Sequence, residues 1–220
     1  MRKALPPDRL GPPPSGRWEA ALLKGGCLFV AGVDEVGRGC LAGPVVAAAV
    51  ILKPGARIPG LRDSKILLAR ERRALIPKIR AARVSYGIGA VAPCGIDRWN
   101  IRRASFRAMR IALSRLDPLP EHALVDGFRI PRLGLAQTHL VRGDRRCRCI
   151  AAASVIAKVA RDRRMDRYHL LYPQYLFHRN RGYATPAHLE ALGRFGPSPL
   201  HRRSFEPVRR RIEGDLELPF

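Results

Sequence analysis

Ala31-Gly32-Val33-Asp34-Glu35-Val36-Gly37-Arg38-Gly39 is the stretch on which the reading of this chain turns. An apolar segment delivers two adjacent carboxylates straight into a Gly-Arg-Gly turn. Such a pair concentrates negative charge that a hard cation such as Mg²⁺ or Mn²⁺ neutralises. Glycines on both sides of Arg38 let the backbone approach a ligand closely, because no Cβ stands in the way and unusual φ/ψ values cost little. The run therefore reads as a metal site beside a site for a sugar-phosphate chain.

Working outward, residues 27–33 read as a strand and residues 44–52 as a second run of small and β-branched residues, so the two form a hairpin around the Gly-Arg-Gly loop. Residues 64–82 have helical composition, with Pro77 expected to end, restart or kink the helix. Residues 84–91 alternate as a third strand, and residues 96–116 place Ile101, Ala104, Ala108, Ile111, Ala112 and Leu116 at helical spacing. Two short apolar runs follow. One ends at Asp126-Gly127 and the other at Gly143-Asp144, and both read as strands that hand a carboxylate to a loop. The longest predicted helix covers residues 150–171; beyond it come a loop around Arg181-Gly182-Tyr183 and a short helix over 186–195. Strands first, then alternating helices and strands, then helices, give an α/β class with a helical C-terminal extension. The domain reading is a proline-rich flexible tail over 1–16, a catalytic domain over 17–172 and an extension over 173–220.

At 220 residues and 46% hydrophobic content the chain can bury a sizeable core. Lys and Arg number 41 against 18 acidic residues, a formal net charge of +23, and no single tail carries the excess. A polyanion is the expected partner, through a surface that includes Arg142, Arg145, Arg146, Arg148, Lys158, Arg161, Arg163 and Arg164. The five cysteines form no regular framework and read as reduced thiols. Cys147-Arg148-Cys149 lacks a second cysteine pair, so no zinc site is expected there. Neither the proline-rich opening nor any later segment resembles a signal peptide or membrane span, and the expected location is cytoplasmic.

Asp34, Glu35, Asp126 and Asp144 thus all stand at predicted element ends. Strands lying side by side would bring these acids to one sheet edge, where divalent cations relieve their repulsion. Two ions held there could activate a water and stabilise the leaving oxygen of a phosphodiester. Alternation places Asp34 and Glu35 on opposite faces, so Glu35 is expected where the strand already gives way to the loop. Spacing alone leaves the ordinary alternative open, since an aspartate closing a strand is commonly a turn residue.

The run Gly32-Val33-Asp34-Glu35-Val36-Gly37-Arg38-Gly39, with Leu41-Ala42-Gly43-Pro44-Val45-Val46-Ala47-Ala48 after it, resembles the opening signature of the ribonuclease HII family. Further matches follow in the family's order: Asp63-Ser64-Lys65, Val125-Asp126-Gly127, Arg142-Gly143-Asp144, the run from Ala151 to Asp162, Gly182-Tyr183-Ala184-Thr185 and His201-Arg202-Arg203-Ser204-Phe205. The resemblance implies a ribonuclease H-like fold, a mixed sheet flanked by helices. It implies cleavage of the RNA strand of RNA-DNA hybrids and incision at single ribonucleotides in duplex DNA, leaving 3′-hydroxyl and 5′-phosphate ends. The family's four acids fall on Asp34, Glu35, Asp126 and Asp144, with Mn²⁺ or Mg²⁺ as cofactor. Asp34 and Asp126 would bridge the metals, Glu35 would lie near the attacking water, and Asp144 would serve the second ion.

The same resemblance assigns 2′-hydroxyl reading to the backbone of Gly37, Arg38 and Gly39, stacking on the following sugar to Tyr183, and phosphate contact to Ser64 and Lys65. The C-terminal extension would contribute to substrate binding, and the chain would act as a monomer without an obligatory protein partner. Asp162, well inside a helix, reads as structural and paired with a basic neighbour. Arg142 and Arg181 stand where lysine is usual in the family, and Cys40 where proline or serine is usual. Three rivals remain: the related ribonuclease HIII, which carries a large additional domain for which about thirty residues before Asp34 are too few; a basic RNA-binding protein without catalysis, which leaves the acids unexplained; and a DNA nuclease of similar fold, indifferent to the 2′-hydroxyl.

Overall fold

A computed structural model of the chain describes residues 12–214. Its frame is a five-stranded mixed sheet in the order β3-β2-β1-β4-β5. Strands β1 (Val30–Val36), β2 (Val45–Leu52) and β3 (Arg83–Val91) run antiparallel, whereas β4 (His122–Asp126) and β5 (Ala136–Leu140) run parallel to β1. The sequence Val-Val-Ala-Ala-Ala-Val-Ile-Leu of β2 is apolar on both faces because both faces are covered, as central strands require. Helix α1 (Arg17–Lys24) precedes the sheet, and α2 (Ala69–Ala82) and α3 (Pro93–Leu113) bracket β3. A short α4 (Gly143–Arg146) and the long α5 (Arg148–Leu171) follow β5.

Period-two alternation divides β2 between two cores. Val45, Ala47, Ala49 and Ile51 join Ala31 and Val33 of β1 against Ala104, Ala108 and Ala112 of α3. On the other face, Ala48 and Val50 meet Leu75 and Ile79 of α2 and Ala151, Ala152 and Val155 of α5. Gly32 lets α5 lie almost on the backbone of β1: a Cβ there would sit 2.2 Å from the carbonyl carbon of Cys149. The obstacle is helix backbone and cannot rotate away. Gly32→Ala is therefore expected to reach or exceed the 1–3 kcal/mol typical of overpacking, lowering Tm by about 5 °C or more in a circular dichroism melt.

After α5 the chain forms a 3₁₀ turn (Pro173–Tyr175), α6 (Phe177–Asn180), α7 (Pro186–Phe195) and α8 (Glu206–Glu213). Met165 of α5 meets Tyr175, Phe177 and Ala191 together with Ala42, so this extension closes over the loop that joins β1 to β2. Most of the proline-rich tail, residues 1–11, lies outside the described residues. Its end is held: Ser15 forms a parallel bridge with Cys147, donating its N–H to the Arg146 carbonyl at 3.1 Å. Among the described residues no helix is long and apolar enough to cross a membrane.

Several boundaries differ from the sequence reading, each for a local reason. The helix expected over 64–82 begins at Ala69, because Asp63 Oδ1 accepts the Lys65 N–H at 2.8 Å and holds residues 63–65 as a turn. Pro77 stays inside α2 without ending it. The helix expected over 96–116 starts at Pro93, where a missing N–H costs nothing, and is broken at Asn100, whose φ is 63°. Strand β1 continues through Val36 rather than stopping at Val33, since its antiparallel partner β2 is long enough to keep pairing, with Glu35 opposite Ala47 and Val36 opposite Val46. Asp144 lies in α4, not in a loop. Within the expected basic surface, Arg161 is fully buried and Lys158 is committed to Asp162 at 2.7 Å.

Candidate active site

Parallel strands end at the same sheet edge, and this is what gathers the acids. β1 and β4 are in register at Val33 and Val125, so Asp34 and Asp126 are the next residues of adjacent strands. β5 pairs Leu140 with Asp126, and the chain then turns through Arg142, in the left-handed region at φ 55°, to place Asp144 at the start of α4. Gly143 donates its N–H to Asp126 Oδ1 at 2.6 Å. Asp34, Asp126 and Asp144 each bring one carboxylate oxygen within 4.8 Å of the others. Asp34 and Asp144 are buried, at 3% and 2% exposure.

Burial, with the neighbouring charges of Glu35 and Asp126, pushes the Asp34 carboxyl well above the ordinary carboxylate range. Burial and then Asp144 raise Asp126 likewise. A trio of hard oxygen donors destabilised by its own charge is the donor set that a divalent cation fits. Lys65 supplies part of the compensation, its Nζ donating to Asp144 Oδ2 at 2.9 Å. Burial works against that ammonium, but Asp144, with Asp34 and Asp63 beyond it, outweighs burial and raises its pKa.

Glu35 does not join the trio. It has the strand parity of Ala31 and Val33 and faces α3, beside Arg102, Ser105 and Phe106, with Asp126 at the rim of the same crevice. Opposite faces were expected, but β1 does not yield to loop there, so the backbone keeps Glu35 across the strand from Asp34. Arg38 Nη1 donates to its Oε1 at 3.2 Å. Ser64 departs further from its expected phosphate contact: it is buried, and its hydroxyl lies 2.8 Å from that of Ser154 on α5. Asp162 is bound by Lys158 at 2.7 Å and Arg72 at 3.5 Å, as a structural residue would be. The Cys147 and Cys149 sulfurs lie 3.4 Å apart beside Glu19, whose Oε1 accepts the Cys149 N–H at 2.8 Å. Glu19 thereby caps the first turn of α5.

A family model described as Ribonuclease HII matches residues 31–208. The chain belongs to the ribonuclease HII family. It is 50% identical over 202 residues to the Ribonuclease HII of Geobacillus kaustophilus, covering 92% of this chain and 77% of that one. The crystal structure of ribonuclease H2 from Pyrococcus horikoshii superposes with a TM-score of 0.74 at 27% identity, covering 86% of this chain and 99% of that one. RNase HII of Archaeoglobus fulgidus, solved in a complex with PCNA, gives a TM-score of 0.70 at 28% identity, with coverage of 81% and 96%. As a ribonuclease HII the chain is a hydrolase with ribonuclease H activity on RNA-DNA hybrids, and its trio of carboxylates suits the divalent-metal dependence of that family.

In this chain the loop after β1 is set from beneath. Gly37 has φ 90°, and a Cβ there would lie 2.2 Å from Arg161 Nε, so only glycine fits between the loop and that guanidinium. Arg161 donates to the carbonyls of Pro44 at 3.0 Å, Ala42 at 3.0 Å and Arg181 at 2.8 Å. Arg202, equally buried, donates to the carbonyls of Gly37 at 2.5 Å, Arg38 at 2.7 Å and Gly43 at 3.0 Å. Tyr183 is placed beside this loop, 43% exposed with its hydroxyl near Cys40, and Leu41 donates its N–H to the Gly182 carbonyl at 2.7 Å. Cys40 is buried and the turn closes around it. Sequence reasoning did not single out Arg202 and counted Arg161 as surface charge. The available signal for Arg161 was its place at the end of a run made mostly of small and apolar residues; Arg202, between His201 and Arg203, carried no such signal.

Proposed function

We propose that this chain hydrolyses the RNA strand of hybrids with two divalent ions, Mn²⁺ or Mg²⁺, and incises duplex DNA 5′ to a single embedded ribonucleotide, leaving 3′-hydroxyl and 5′-phosphate ends. The observation that carries the reading is the convergence of Asp34, Asp126 and Asp144 at the carboxyl ends of β1, β4 and β5, beside the Gly37-Arg38-Gly39 loop and Tyr183. When bound, the ions would activate the attacking water and steady the leaving oxygen. Asp34 and Asp126 hold the site from adjacent strands, Asp144 closes it from α4, and Glu35 acts from across β1, where its charge already bears on Asp34. Lys65, with a side chain 70% exposed, keeps ammonium donors free to meet a phosphate beside Asp144.

Choice of cleavage position falls to other groups. DNA and RNA carry the same phosphates and differ at the 2′-hydroxyl, which both donates and accepts. The backbone of Gly37, Arg38 and Gly39 would read that hydroxyl, with no side chain at two of the three positions to block approach. The Tyr183 ring would stack on the next sugar, where a second 2′-hydroxyl collides. The polyanion itself would be held by the basic surface of the one chain, acting as a monomer in the cytoplasm without an obligatory partner.

The test is incubation with Mg²⁺ or Mn²⁺ and a labelled DNA duplex carrying one ribonucleotide. Incision 5′ to that nucleotide is expected, and Tyr183→Ala is expected to reduce it by about tenfold or more, the loss of roughly 1.4 kcal/mol of stacking, with hybrid binding in gel shift changed less. Binding without cutting would support the non-catalytic RNA-binding reading, and cutting of all-DNA duplex would support a nuclease blind to the 2′-hydroxyl.

A further inference from the structure

His188 opens into α7 and His201 lies on the loop before α8, both buried, with their Nε2 atoms 3.0 Å apart. The partners at the far sides of the two rings leave one arrangement of protons. His188 Nδ1 lies 2.8 Å from the Tyr183 carbonyl, which only accepts, so Nδ1 carries the hydrogen and donates it. His201 Nδ1 accepts the Ser198 N–H at 3.0 Å and has the Ser198 hydroxyl at 2.9 Å, so that nitrogen is bare and the hydrogen of His201 is on Nε2. The contact between the rings is then a hydrogen bond donated by His201 Nε2–H to His188 Nε2. A proton added to either ring would set two N–H groups against each other. Burial keeps both imidazoles neutral, lowering the pKa of each and that of His201 to about 4.

The chain of bonds begins at a backbone amide of the C-terminal loop and ends at the carbonyl of Tyr183. Its neighbours point to the same place. Ala42 bridges His201, and the Arg202 N–H donates to the Leu41 carbonyl at 2.8 Å, so the dipeptide His201-Arg202 is anchored on the loop that joins β1 to β2. Arg202 holds the carbonyls of Gly37 and Arg38, while His201, through His188, holds Tyr183. The Tyr175 and Phe177 rings wall the pair, 4.7 Å from His201 and 5.5 Å from His188 between ring centroids.

We propose that His188 and His201 are positioning residues that, as a single-direction hydrogen-bonded pair, fix Tyr183 against the Gly37-Arg38-Gly39 loop and so set the preference for a lone ribonucleotide. This rests on the proposed stacking role of Tyr183. Two measurements test it. In ¹⁵N-labelled full-length protein, long-range ¹H–¹⁵N correlation spectra should show His188 as the Nδ1–H tautomer and His201 as the Nε2–H tautomer; the opposite assignment, or a charged ring at neutral pH, overturns the proposal without any substitution. Cleavage is then compared on the single-ribonucleotide duplex and on a long hybrid. His188→Asn keeps a side-chain donor near the Nδ1 position, and His201→Gln keeps one near Nε2. His188→Ala and His201→Ala should lower the ratio of the two rates about tenfold, the same direction as Tyr183→Ala, and the conservative variants should restore part of it. A merely structural role would reduce both rates equally and leave the ratio unchanged, which overturns the proposal while Tyr183 remains selective. If Tyr183→Ala itself leaves the ratio unchanged, the stacking reading falls and the proposal with it.

Discussion

Asp34→Asn is expected to lower metal-dependent cleavage of an RNA-DNA hybrid about a thousandfold and, in metal-free protein, to raise Tm. The first effect follows from removing one of three carboxylates whose oxygens lie within 4.8 Å of one another; several kcal/mol of transition-state stabilisation depend on charge held there, and about 4 kcal/mol is a thousandfold. The second follows from burial and from the charges of Glu35 and Asp126, which hold the Asp34 carboxyl well above its ordinary range. Between the unfolded and folded pKa the native state binds more protons than the unfolded chain, so this group takes stability away as pH rises through that window. Asparagine is isosteric and uncharged, and its side-chain oxygen can still accept the Glu35 N–H that Asp34 Oδ1 accepts at 2.7 Å.

The gain should be about 3 °C or more near pH 8 and shrink towards nothing near pH 4, where the wild-type carboxyl is also neutral. Mg²⁺ or Mn²⁺ should raise the wild-type Tm at pH 8, because the ion binds only the folded chain, and should raise that of Asp34→Asn much less. Calorimetry with and without chelator reads all of this. A metal-free Asp34→Asn protein less stable than wild type at pH 8 would show that Asp34 is a structural residue rather than a ligand.

Arg202→Met is expected to destabilise the protein by roughly 3–5 kcal/mol, among the largest effects available to one substitution. Arg202 is fully buried, and its guanidinium donates to the carbonyls of Gly37, Arg38 and Gly43, whose dipoles meet its charge. Burial lowers its pKa to about 10, which still leaves it charged at neutral pH. Methionine fills much of the volume but strands those carbonyls in a dry interior, at about 1–3 kcal/mol for each unpaired group. Arg202→Lys keeps the charge but cannot reproduce a planar fork that spans three acceptors, so it should fall between the two. Urea unfolding measures the order wild type, Lys, Met. At temperatures where Arg202→Met remains folded, cleavage should also lose its preference for the ribonucleotide position if, as proposed, the Gly37-Arg38-Gly39 loop reads the 2′-hydroxyl, because that loop is no longer held from below.

The sheet and the acids were legible because their signals are short-range. Val45 to Leu52 reads as a buried strand from its own composition, and alternation alone puts Asp34 and Glu35 on opposite faces of β1. Asp126 and Asp144 stand out as carboxylates at the ends of short apolar runs. The boundaries were less legible, since they depend on partners: β1 reaches Val36 because β2 continues to pair with it, and α2 waits until Ala69 because the Asp63 side chain captures the Lys65 N–H.

By itself the sequence determined the fold class, four strand-end acids as candidate metal ligands, the glycine-flanked loop and the resemblance to the ribonuclease HII family, all from patterns contained within a few residues or in motifs of fixed order. Only the tertiary structure decided which of those acids share one site, that Ser64 turns inward to Ser154, and that Arg161 and Arg202 are interior struts rather than surface charge. The reason is distance along the chain: Arg202 finds its acceptors at Gly37, Arg38 and Gly43, and His201 meets His188 across a loop, through contacts that no local pattern announces. A buried guanidinium and an exposed one are the same letter, and folding alone shows which carbonyls are waiting for it.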